Sequence, residues 1–286
     1  MSSIEPLVVA VPVFNAERYL AATLQSLNAQ GEFARWWLQD GGSRDATMEI
    51  AGRYTRSGDQ SSSESDRGQA DALNKAFSRM GGSIIGFLNG DDTLKPGTAE
   101  RVLQFFRENP SVDLLYGSVE WIDASGDVTG MHCGRIDSLA EVLDIYNVWW
   151  KGRQWVQPEV FFRRSLLEKA GGFDTRLHLA FDYDFWVRCL MVGARVAHAP
   201  GVVAQFRLHP DQKSSETQRA ADEIRTTVLR HLAGAPIGGW RKTQIRAALS
   251  YDLYQLGRGA ESGTLRKPFL SELLRHPTWW LATAVR

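Results

Sequence analysis

The chain is poor in cysteine, carries no excess of charge and contains no long apolar run. Cys133 and Cys189 lie far apart and fit no metal-binding or redox spacing, which favours a reducing compartment. Lysine plus arginine equals aspartate plus glutamate, 33 against 33, so no overall field attracts nucleic acid and any anion must be held locally. No 18 apolar residues run together, and residues 1–6 lack a signal-peptide pattern. We therefore expect a cytoplasmic protein.

The first 92 residues alternate between apolar strand patterns and amphipathic helix patterns. The predicted strands cover residues 7–13, 34–39 and 83–88. The predicted helices cover residues 15–28, with Asn15 as N-cap, 45–56 and 69–80. The polar stretch 57–65 is predicted to be a surface loop. Three alternations of strand and helix predict an α/β fold with a parallel, doubly wound sheet.

An acidic turn follows the third of these strands. Asn89, Gly90, Asp91 and Asp92 come directly after the apolar run, at the edge where α/β sheets hold their ligands. Adjacent carboxylates attract a hard cation, and Mg²⁺ or Mn²⁺ takes one or two carboxylates together with phosphate oxygens. The turn therefore predicts a site for a metal-bound diphosphate. The alternative is a solvated turn that caps the helix starting at Pro96.

The alternation becomes less regular after residue 92. Helices are predicted at 96–108, 165–170 and 182–191, strands at 112–119, 159–162 and 202–208, and a hairpin at 121–130. An aromatic and basic loop at 147–158 is expected to cover a site. Residues 216–286 show helical periodicity, and their last part has an apolar side formed by Leu270, Leu273, Leu274, Trp279, Trp280 and Leu281. This side, flanked by Arg275 and Arg286, is suited to docking on the protein itself, on a partner or on a membrane surface.

Six short segments share the order of motifs from one enzyme family. They are Val11–Asn15, Gln39–Asp45, Ser65–Lys75, Gln157–Glu159, Gly171–Asp174, and His209 with Lys213 and Ser214. Together with the acidic turn they resemble the family-2 glycosyltransferases of the GT-A fold, inverting enzymes that move a sugar from a nucleoside diphosphate to an acceptor. The third segment is similar to a segment of a bacterial subgroup of these enzymes that acts on surface polysaccharides.

The resemblance covers residues 7 to about 215 and implies a division of the chain. A GT-A domain, Rossmann-like with a mostly parallel sheet flanked by helices, would occupy residues 1–215. Its nucleotide-sugar half would end near residue 120, and its acceptor and catalytic half would span about 121–215. A helical C-terminal extension would follow over 216–286.

The resemblance also implies donor-binding residues. The candidates for contacts with the base, ribose and phosphates are Pro12, Phe14, Asn15, Asp40, Gly42, Arg67, Asn74, Lys75, Asn89 and Lys213. Asp40 would accept a hydrogen bond from a ring N–H of the base, and Lys213 would meet a phosphate as a point charge. Asn89 stands where the family usually has the first aspartate of its Asp-x-Asp motif, and its amide can still contact ribose.

The implied cofactor is a divalent metal, Mn²⁺ or Mg²⁺. Asp91 and Asp92 would hold the metal and the diphosphate. His209 would be a further ligand, because imidazole suits Mn²⁺ better than Mg²⁺. The alternative for His209 is a surface histidine before a proline.

Inversion requires a base that removes the proton of the acceptor hydroxyl. The family places this base in a Glu-Asp pair at a helix start. Asp182 aligns with the aspartate, whereas Phe181 replaces the glutamate, so Asp184 remains an alternative base. Trp155, like Trp149 and Trp150, is a candidate for stacking on the acceptor and equally for the core, and Gln157 is a further substrate-binding candidate.

The predicted function is transfer of a sugar from a nucleotide donor to a glycan or polyprenyl-linked glycan in bacterial surface-polysaccharide synthesis, with no nucleic acid as partner. A peripheral position at the inner face of the plasma membrane, through the C-terminal helices, is compatible with this function. Two alternatives remain open from sequence. One is a sugar-phosphate nucleotidyltransferase, although the Gly-rich basic loop of such enzymes is replaced here by Phe14–Glu17. The other is a noncatalytic scaffold that binds nucleotide sugars.

Overall fold

The computed structural model describes residues 5–213 and 217–257, together with residues 274, 276, 278 and 279. Its strands are β1 Leu7–Val13, β2 Ala34–Asp40, β3 Gln60–Ser63, β4 Ile84–Phe87, β5 Thr93–Leu94, β6 Leu114–Ile122, β7 Val128–Cys133, β8 Val160–Arg163 and β9 Val196–Arg207. Its helices are α1 Leu20–Asn28, α2 Thr47–Tyr54, α3 Gln69–Arg79, α4 Thr98–Glu108, α5 Leu139–Leu143, α6 Arg164–Ala170, α7 Phe181–Met191, α8 Thr217–Leu232 and α9 Gly239–Gly257. Short 3-10 helices lie at Gly31–Phe33, Trp149–Lys151 and Gln157–Glu159.

The described strands form one curled sheet in the order β3-β2-β1-β4-β8-β6-β9-β5, with β7 paired to β6. The part that comes first in the chain is parallel. Val13 at the end of β1 is paired with Asp40 at the end of β2, and Asp40 is paired with Ser63 at the end of β3. β4 runs parallel to β1 on the other side. The carboxyl ends of these strands therefore meet at one edge, as predicted.

The rest of the sheet is mixed. β8 is antiparallel to both β4 and β6, β9 is parallel to β6, and β5 is antiparallel to β9. β6 and β7 form the predicted hairpin, and the N–H of Asp123 donates to the carbonyl of Asp127 across its turn. This arrangement brings the end of β9 beside the acidic turn that follows β4.

Apolar layers cover the sheet on both faces. One layer includes Leu73 of α3 and Phe185 of α7, and the other includes Leu24 of α1 and Val102 of α4. Strands β1 and β4 are apolar along nearly their whole length because both of their faces are covered. The predicted GT-A class, an α/β sheet flanked by helices with a helical C-terminal region, is confirmed.

The described part of the C-terminal extension packs on the main core. Ile224 and Val228 of α8 and Leu249 of α9 belong to the same apolar cluster as α3 and α7. Trp279 is buried against Tyr251, which confirms docking on the protein itself for this side chain. Leu274 is exposed, whereas Leu270, Leu273, Arg275, Trp280, Leu281 and Arg286 lie outside the described residues. Across the described part of the chain, no helix combines the length and apolar character needed to span a bilayer.

Several predicted boundaries were wrong for identifiable reasons. The predicted loop at 57–65 contains β3, an exposed edge strand whose residues are all polar and which pairs with β2 without an apolar pattern. Asn15 does not cap α1, which begins at Leu20, because the backbone of Asn15 is left-handed with φ 48°. β9 begins six residues earlier than predicted, and its first part is irregular in register, with Pro200 and Gly201 inside it.

Candidate active site

Asp40 ends β2 and shapes the loop that follows it. Its fully buried carboxylate accepts hydrogen bonds from the N–H groups of Gly42 and Ser43 and from the hydroxyls of Ser43 and Ser63. Gly42 has φ 89°, a conformation that side chains disfavour. These bonds occupy the acceptor sites of both carboxylate oxygens. The predicted bond from Asp40 to a nucleotide base stays a prediction.

The loop after β1 lies against this second loop. Pro12 is buried within β1, while the ring of Phe14 is 64% exposed. The carboxamide oxygen of Asn15 accepts from the N–H of Arg44 at 3.0 Å, and the N–H of Asn15 donates to Ser43 Oγ at 2.7 Å. Asn15 thus joins the two loops, and Phe14 offers an apolar face on which a planar ligand can stack.

The two carboxylates of the acidic turn after β4 lie in different environments. The Asp91 side chain is 30% exposed, and its Oδ2 lies 3.0 Å from His209 Nε2. Asp92 is 1% exposed, and its Oδ1 accepts the N–H of Arg207 at 2.9 Å. Burial, together with the charge of Asp91, raises the pKa of Asp92 well above its usual range. Asp91 faces the site, whereas Asp92 holds the turn to the end of β9.

Arg207 is the residue that fixes this junction. Its Nε donates to the carbonyl of Asp91 at 3.0 Å and its Nη1 donates to the carbonyl of Asp123 at 3.0 Å. The guanidinium lies 4.8 Å from the ring centre of Tyr19. A buried arginine at the end of a strand thus ties the acidic turn to the β6–β7 hairpin.

Asp91 and His209 can hold a divalent metal. The two donor atoms, Asp91 Oδ2 and His209 Nε2, lie 3.0 Å apart in mutual contact, so a metal held by both would replace this contact. The Nδ1 atom of His209 is buried and has no hydrogen-bond partner. Within 5–213 and 217–257, no three His, Cys, Asp or Glu side chains converge as a complete metal cage. Two protein donors fit a metal that keeps most of its coordination for phosphate oxygens and water.

A chain of side chains connects the acidic turn to Lys213. Gln69 begins α3, and its Nε2 donates to Asn89 Oδ1 at 2.6 Å. Asn89 Nδ2 in turn lies 3.4 Å from Asp92 Oδ2, and Lys213 Nζ lies 3.4 Å from Gln69 Oε1. Lys213 also lies 5.6 Å from the ring centre of Phe181 at the start of α7. These contacts bring Asn89 and Lys213, the predicted ribose and phosphate contacts, beside α7, the helix that carries Asp182.

Asp182 lies in the first turn of α7 and has the properties of a base. Its side chain is partly buried, and the described contact of its carboxylate is with the N–H of Tyr183 at 2.7 Å. Burial raises the pKa of Asp182 to about 6; Glu223 adds to the rise and Lys213 opposes it. A carboxylate with this pKa is ionised at neutral pH and still accepts a proton readily.

Asp184, two residues further along α7, is structural. It is 1% exposed and is bonded at 2.8 Å to both Arg188 Nε and His231 Nε2. Arg230 lies 3.6 Å away. Burial alone would raise the pKa of Asp184, but the bonds from His231 and Arg188 outweigh it and lower the pKa. A carboxylate committed to these partners cannot approach a substrate, which separates it from Asp182.

The other candidates of the first half serve mainly to join segments. Asn74 donates to the carbonyl of Phe173 and accepts its N–H, both at 2.8 Å. Lys75 donates to the carbonyl of Ser65 at 2.7 Å. The exposed side chain of Arg67 pairs with Asp71. Substrate contacts for these three remain predictions, and the structure gives Asn74 a role in holding the segment that precedes α7.

The tryptophans of the aromatic loop pack in or against the core. Trp155 is 1% exposed and packs against Tyr116 and Trp186, so its predicted stacking on an acceptor was wrong and the core alternative holds. Trp149 and Trp150 are partly buried against the same cluster. Gln157 is buried and donates from Nε2 to the carbonyl of Phe87, directly before the acidic turn. Gln157 therefore holds the end of β4, from which the acidic turn follows.

Sequence reasoning assigned no role to Arg207, Gln69 or Glu223. An arginine inside an otherwise uncharged strand end was the available signal for Arg207. Gln69 stood within a quoted motif, next to a helix start. Glu223 gave no signal, because its contacts lie 43 to 45 residues away in the chain.

Comparison with known proteins identifies the family. A family model described as glycosyl transferase family 2 matches residues 8–169, which is more than half of the chain. The chain belongs to glycosyltransferase family 2. It is 31% identical over 201 residues to the PGL/p-HBAD biosynthesis glycosyltransferase of Mycobacterium tuberculosis, which covers 68% of this chain and 73% of that protein. It is 29% identical over 216 residues to the succinoglycan biosynthesis protein ExoU of Rhizobium meliloti, over 68% of this chain and 60% of that protein.

Solved structures have the same fold as this family-2 glycosyltransferase. S. aureus TarS 1-349 in complex with UDP-GlcNAc superposes with a TM-score of 0.70 at 20% identity, over 96% of this chain and 78% of that chain. The mannosyltransferase PcManGT of Pyrobaculum calidifontis, in complex with GDP-Man and Mn²⁺, gives 0.57 at 18% identity, over 90% and 83%. At sequence identities this low, the two superpositions establish a shared fold only. The enzyme class follows from the family.

Proposed function

We propose that this glycosyltransferase is inverting and metal-dependent, and that it transfers a sugar from a nucleoside diphosphate sugar to a hydroxyl of a glycan or lipid-linked glycan. The observation that carries the proposal is Asp182, a partly buried carboxylate with a pKa of about 6 at the start of α7. Lys213, Gln69 and Asn89 connect its surroundings to the acidic turn. A base and a diphosphate site at one edge of the sheet are what inversion requires.

In this proposal each residue of the site has a separate role. Phe14 stacks on the nucleotide base, Asn89 contacts the ribose, and Lys213 neutralises a phosphate oxygen. Asp91 and His209 would hold a divalent metal, which would supply positive charge to offset the negative charge on the departing diphosphate. Asp182 Oδ2 accepts the proton of the acceptor hydroxyl as that hydroxyl attacks the anomeric carbon from the face opposite the leaving group. One carboxylate suffices, because no covalent intermediate is formed.

Asp92 takes a different part in the proposal from the one predicted. It was predicted as a second metal ligand, but its carboxylate is buried and bonded to the N–H of Arg207. We therefore assign the metal to Asp91 and His209, with Asp92 as the residue that keeps Asp91 in place.

The acceptor class rests on the named relatives. The mycobacterial relative is named for PGL/p-HBAD biosynthesis and the rhizobial one for succinoglycan biosynthesis, so both names concern assembly of a glycan or glycolipid. This supports a surface glycan as the product. Family membership favours sugar transfer over both nucleotidyl transfer and a noncatalytic scaffold.

Calorimetric titration with uridine, guanosine, thymidine and cytidine diphosphates tests donor and metal together. We expect one of the four to bind, with higher affinity in Mn²⁺ than in EDTA. Absence of binding by all four would contradict the proposed donor. Equal affinity with and without Mn²⁺ would contradict the assignment of Asp91 and His209. Inversion is then tested by NMR, through the anomeric configuration of the product.

A further inference from the structure

Glu223 of α8 binds the backbone that leads into α7. Its Oε2 accepts hydrogen bonds from three consecutive N–H groups, those of His178, Leu179 and Ala180, at 3.0, 2.7 and 2.9 Å. These N–H groups belong to Ala180, the N-cap of α7, and to the two residues before it, and a negative charge is favoured near the N-terminus of a helix. One carboxylate from the C-terminal extension thus satisfies the segment directly before Phe181 and Asp182.

Further contacts of α8 hold the same region. His231 bonds to Asp184 on the next turn of α7, and Arg230 bonds to Asp174 at 2.9 Å in the loop before it. Glu223 is itself oriented by Arg219, 3.8 Å away. The extension therefore contacts α7 and the segment before it at three points, and Glu223 is the one that binds the residues directly before Phe181 and Asp182.

We propose that Glu223 is a positioning residue, which fixes the backbone that carries Asp182 and sets the electrostatic field at this carboxylate. The inference rests on the proposed function, in which Asp182 is the base. It assigns a catalytic purpose to the C-terminal extension, because without α8 the segment before α7 would lose the acceptor of three N–H groups. Position 181 contributes a phenylalanine and therefore no carboxylate of its own to this helix start.

The charges around Asp182 make the field measurable. Burial raises the pKa of Asp182, the carboxylate of Glu223 on α8 raises it further, and the ammonium of Lys213 after β9 lowers it. Arg188 on the helix itself and Arg230 and His231 on α8 lie beside Asp184. Further carboxylates near α7 are Asp144, which acts on Tyr183, and Asp113, which acts on Cys189. Removing Glu223 or Lys213 should therefore move the pKa of Asp182 in opposite directions.

The positioning role is tested first without any substrate. In Glu223→Ala, amide hydrogen exchange at residues 178–180 should accelerate about tenfold or more, because each N–H loses a bond to a charged acceptor. Glu223→Gln keeps an acceptor oxygen and should retain most of the protection. Asp222→Ala is the matched control, since Asp222 is the neighbouring residue on α8, has a 60% exposed side chain and contacts Arg225 rather than the segment before α7. Unchanged exchange in Glu223→Ala would overturn the proposal.

The field is tested by a ¹³C-carboxyl NMR titration of Asp182, assigned with Asp182→Asn. Glu223→Gln should lower the pKa of Asp182, and Lys213→Ala should raise it. If Glu223→Ala fails to fold, the titration of the Gln variant still tests the electrostatic part of the proposal. An unchanged Asp182 titration in Glu223→Gln would overturn the electrostatic part of the proposal.

Kinetics with the donor selected by the binding experiment complete the test. Glu223→Ala should lower kcat by about 10²-fold, as expected for a misplaced catalytic group, with an unchanged KM for the donor. The acid limb of the kcat/KM profile should shift to lower pH in Glu223→Gln. A merely structural residue would lower Tm and leave kcat and the pH profile of the folded enzyme unchanged, and that result would refute the positioning role. Failure of all nucleotides to bind would refute the proposed function alone, because exchange and titration are independent of it.

Discussion

The acidic turn after β4 and the first turn of α7 each carry two aspartates, and the fold separates each pair in the same way. Asp91 and Asp182 are partly exposed and have few partners, whereas Asp92 and Asp184 are 1% exposed and fully engaged. In both places one carboxylate is partly exposed, and the other is bonded within the protein, Asp92 to the N–H of Arg207 and Asp184 to the side chains of Arg188 and His231. Two carboxylates close in sequence therefore have different functions, which burial and hydrogen bonding assign.

The two pairs differ in how the buried member is neutralised. Asp184 is bonded to the side chains of His231 and Arg188, which lower its pKa in spite of burial. Asp92 accepts a backbone N–H, and its pKa is raised by burial and by Asp91. The α7 pair is therefore anchored by ion pairs and the turn pair by neutral hydrogen bonds. We expect mutations of the buried members to differ in cost accordingly.

The largest effect is expected from Asp182→Asn. The amide can still accept the N–H of Tyr183, so the fold should be preserved, but it cannot take a proton. Sugar transfer should fall by about 10² to 10⁴-fold, while binding of the nucleoside diphosphate stays unchanged. The measurement is kcat together with calorimetric affinity. Full activity in this variant would show that Asp182 is not the base, and the proposed difference between Asp182 and Asp184 would be lost.

The next largest effect is expected from Asp184→Ala. It leaves Arg188 and His231 without their buried partner, and breaking a buried pair in this way typically costs about 3–5 kcal/mol in the free energy of unfolding. Urea denaturation followed by circular dichroism measures this loss. Arg67→Ala is a suitable control, because the Arg67–Asp71 pair is exposed and should contribute less than about 1 kcal/mol. Equal costs for the two variants would contradict a structural role for Asp184.

A smaller effect should distinguish Asp91 from Asp92. Asp91→Ala should reduce the Mn²⁺-dependent gain in nucleotide affinity by at least about tenfold, because it removes a metal ligand. Asp92→Asn keeps an oxygen that accepts the N–H of Arg207, so it should retain most of this gain. Calorimetry in Mn²⁺ and in EDTA measures both. The reverse order of the two variants would show that Asp92 is the ligand.

The smallest effect concerns stability and pH. The pKa of Asp182 is raised from 3.8 to about 6 in the folded protein, so the folded state binds this proton more tightly than the unfolded chain does. Stability from this group is present below pH 3.8 and is lost as the pH rises through about 6. Asp182→Asn should therefore be more stable than the wild type at pH 8, by about 1–2 kcal/mol after allowance for partial solvent exposure, and equally stable at pH 3.5.

Urea unfolding of both proteins across this pH range measures the difference. A difference that is independent of pH would mean that the pKa of Asp182 is not raised. A gain in stability on removal of Asp182 would fit the usual trade between stability and activity at a catalytic site.

Much of the first half of the fold could be predicted, because its strands are buried on both faces. Such strands are continuous apolar runs, and the polar residues at their ends stand out, as the acidic turn does after Phe87. β3 could not be found in this way, since Gln60–Ser63 are all polar and form an exposed edge strand without an apolar pattern. The length of β9 was also missed, because proline and glycine interrupt its pattern.

The site could be predicted only to the level of its motifs. Residues such as Asp91, Asp182 and His209 were predicted by type and order, and the structure brings Asp91 and His209 into contact and places Asp182 in the first turn of α7. Trp155 was predicted to stack on an acceptor or to lie in the core, because its ring suits both places and the sequence does not show its neighbours. The contacts of Glu223 with the backbone at 178–180 depend on how α8 docks, which local sequence does not specify.

By itself, the sequence determined the α/β class, the position of the acidic turn and the family, because alternating patterns and ordered motifs are local properties of the chain. Only the tertiary structure decided which aspartate of each pair faces the site, and that the C-terminal extension holds the start of α7. These depend on burial and on hydrogen bonds between segments distant in sequence. A carboxylate has the same chemistry in the sequence wherever it stands, and its surroundings in the fold determine whether it binds a ligand or supports the backbone.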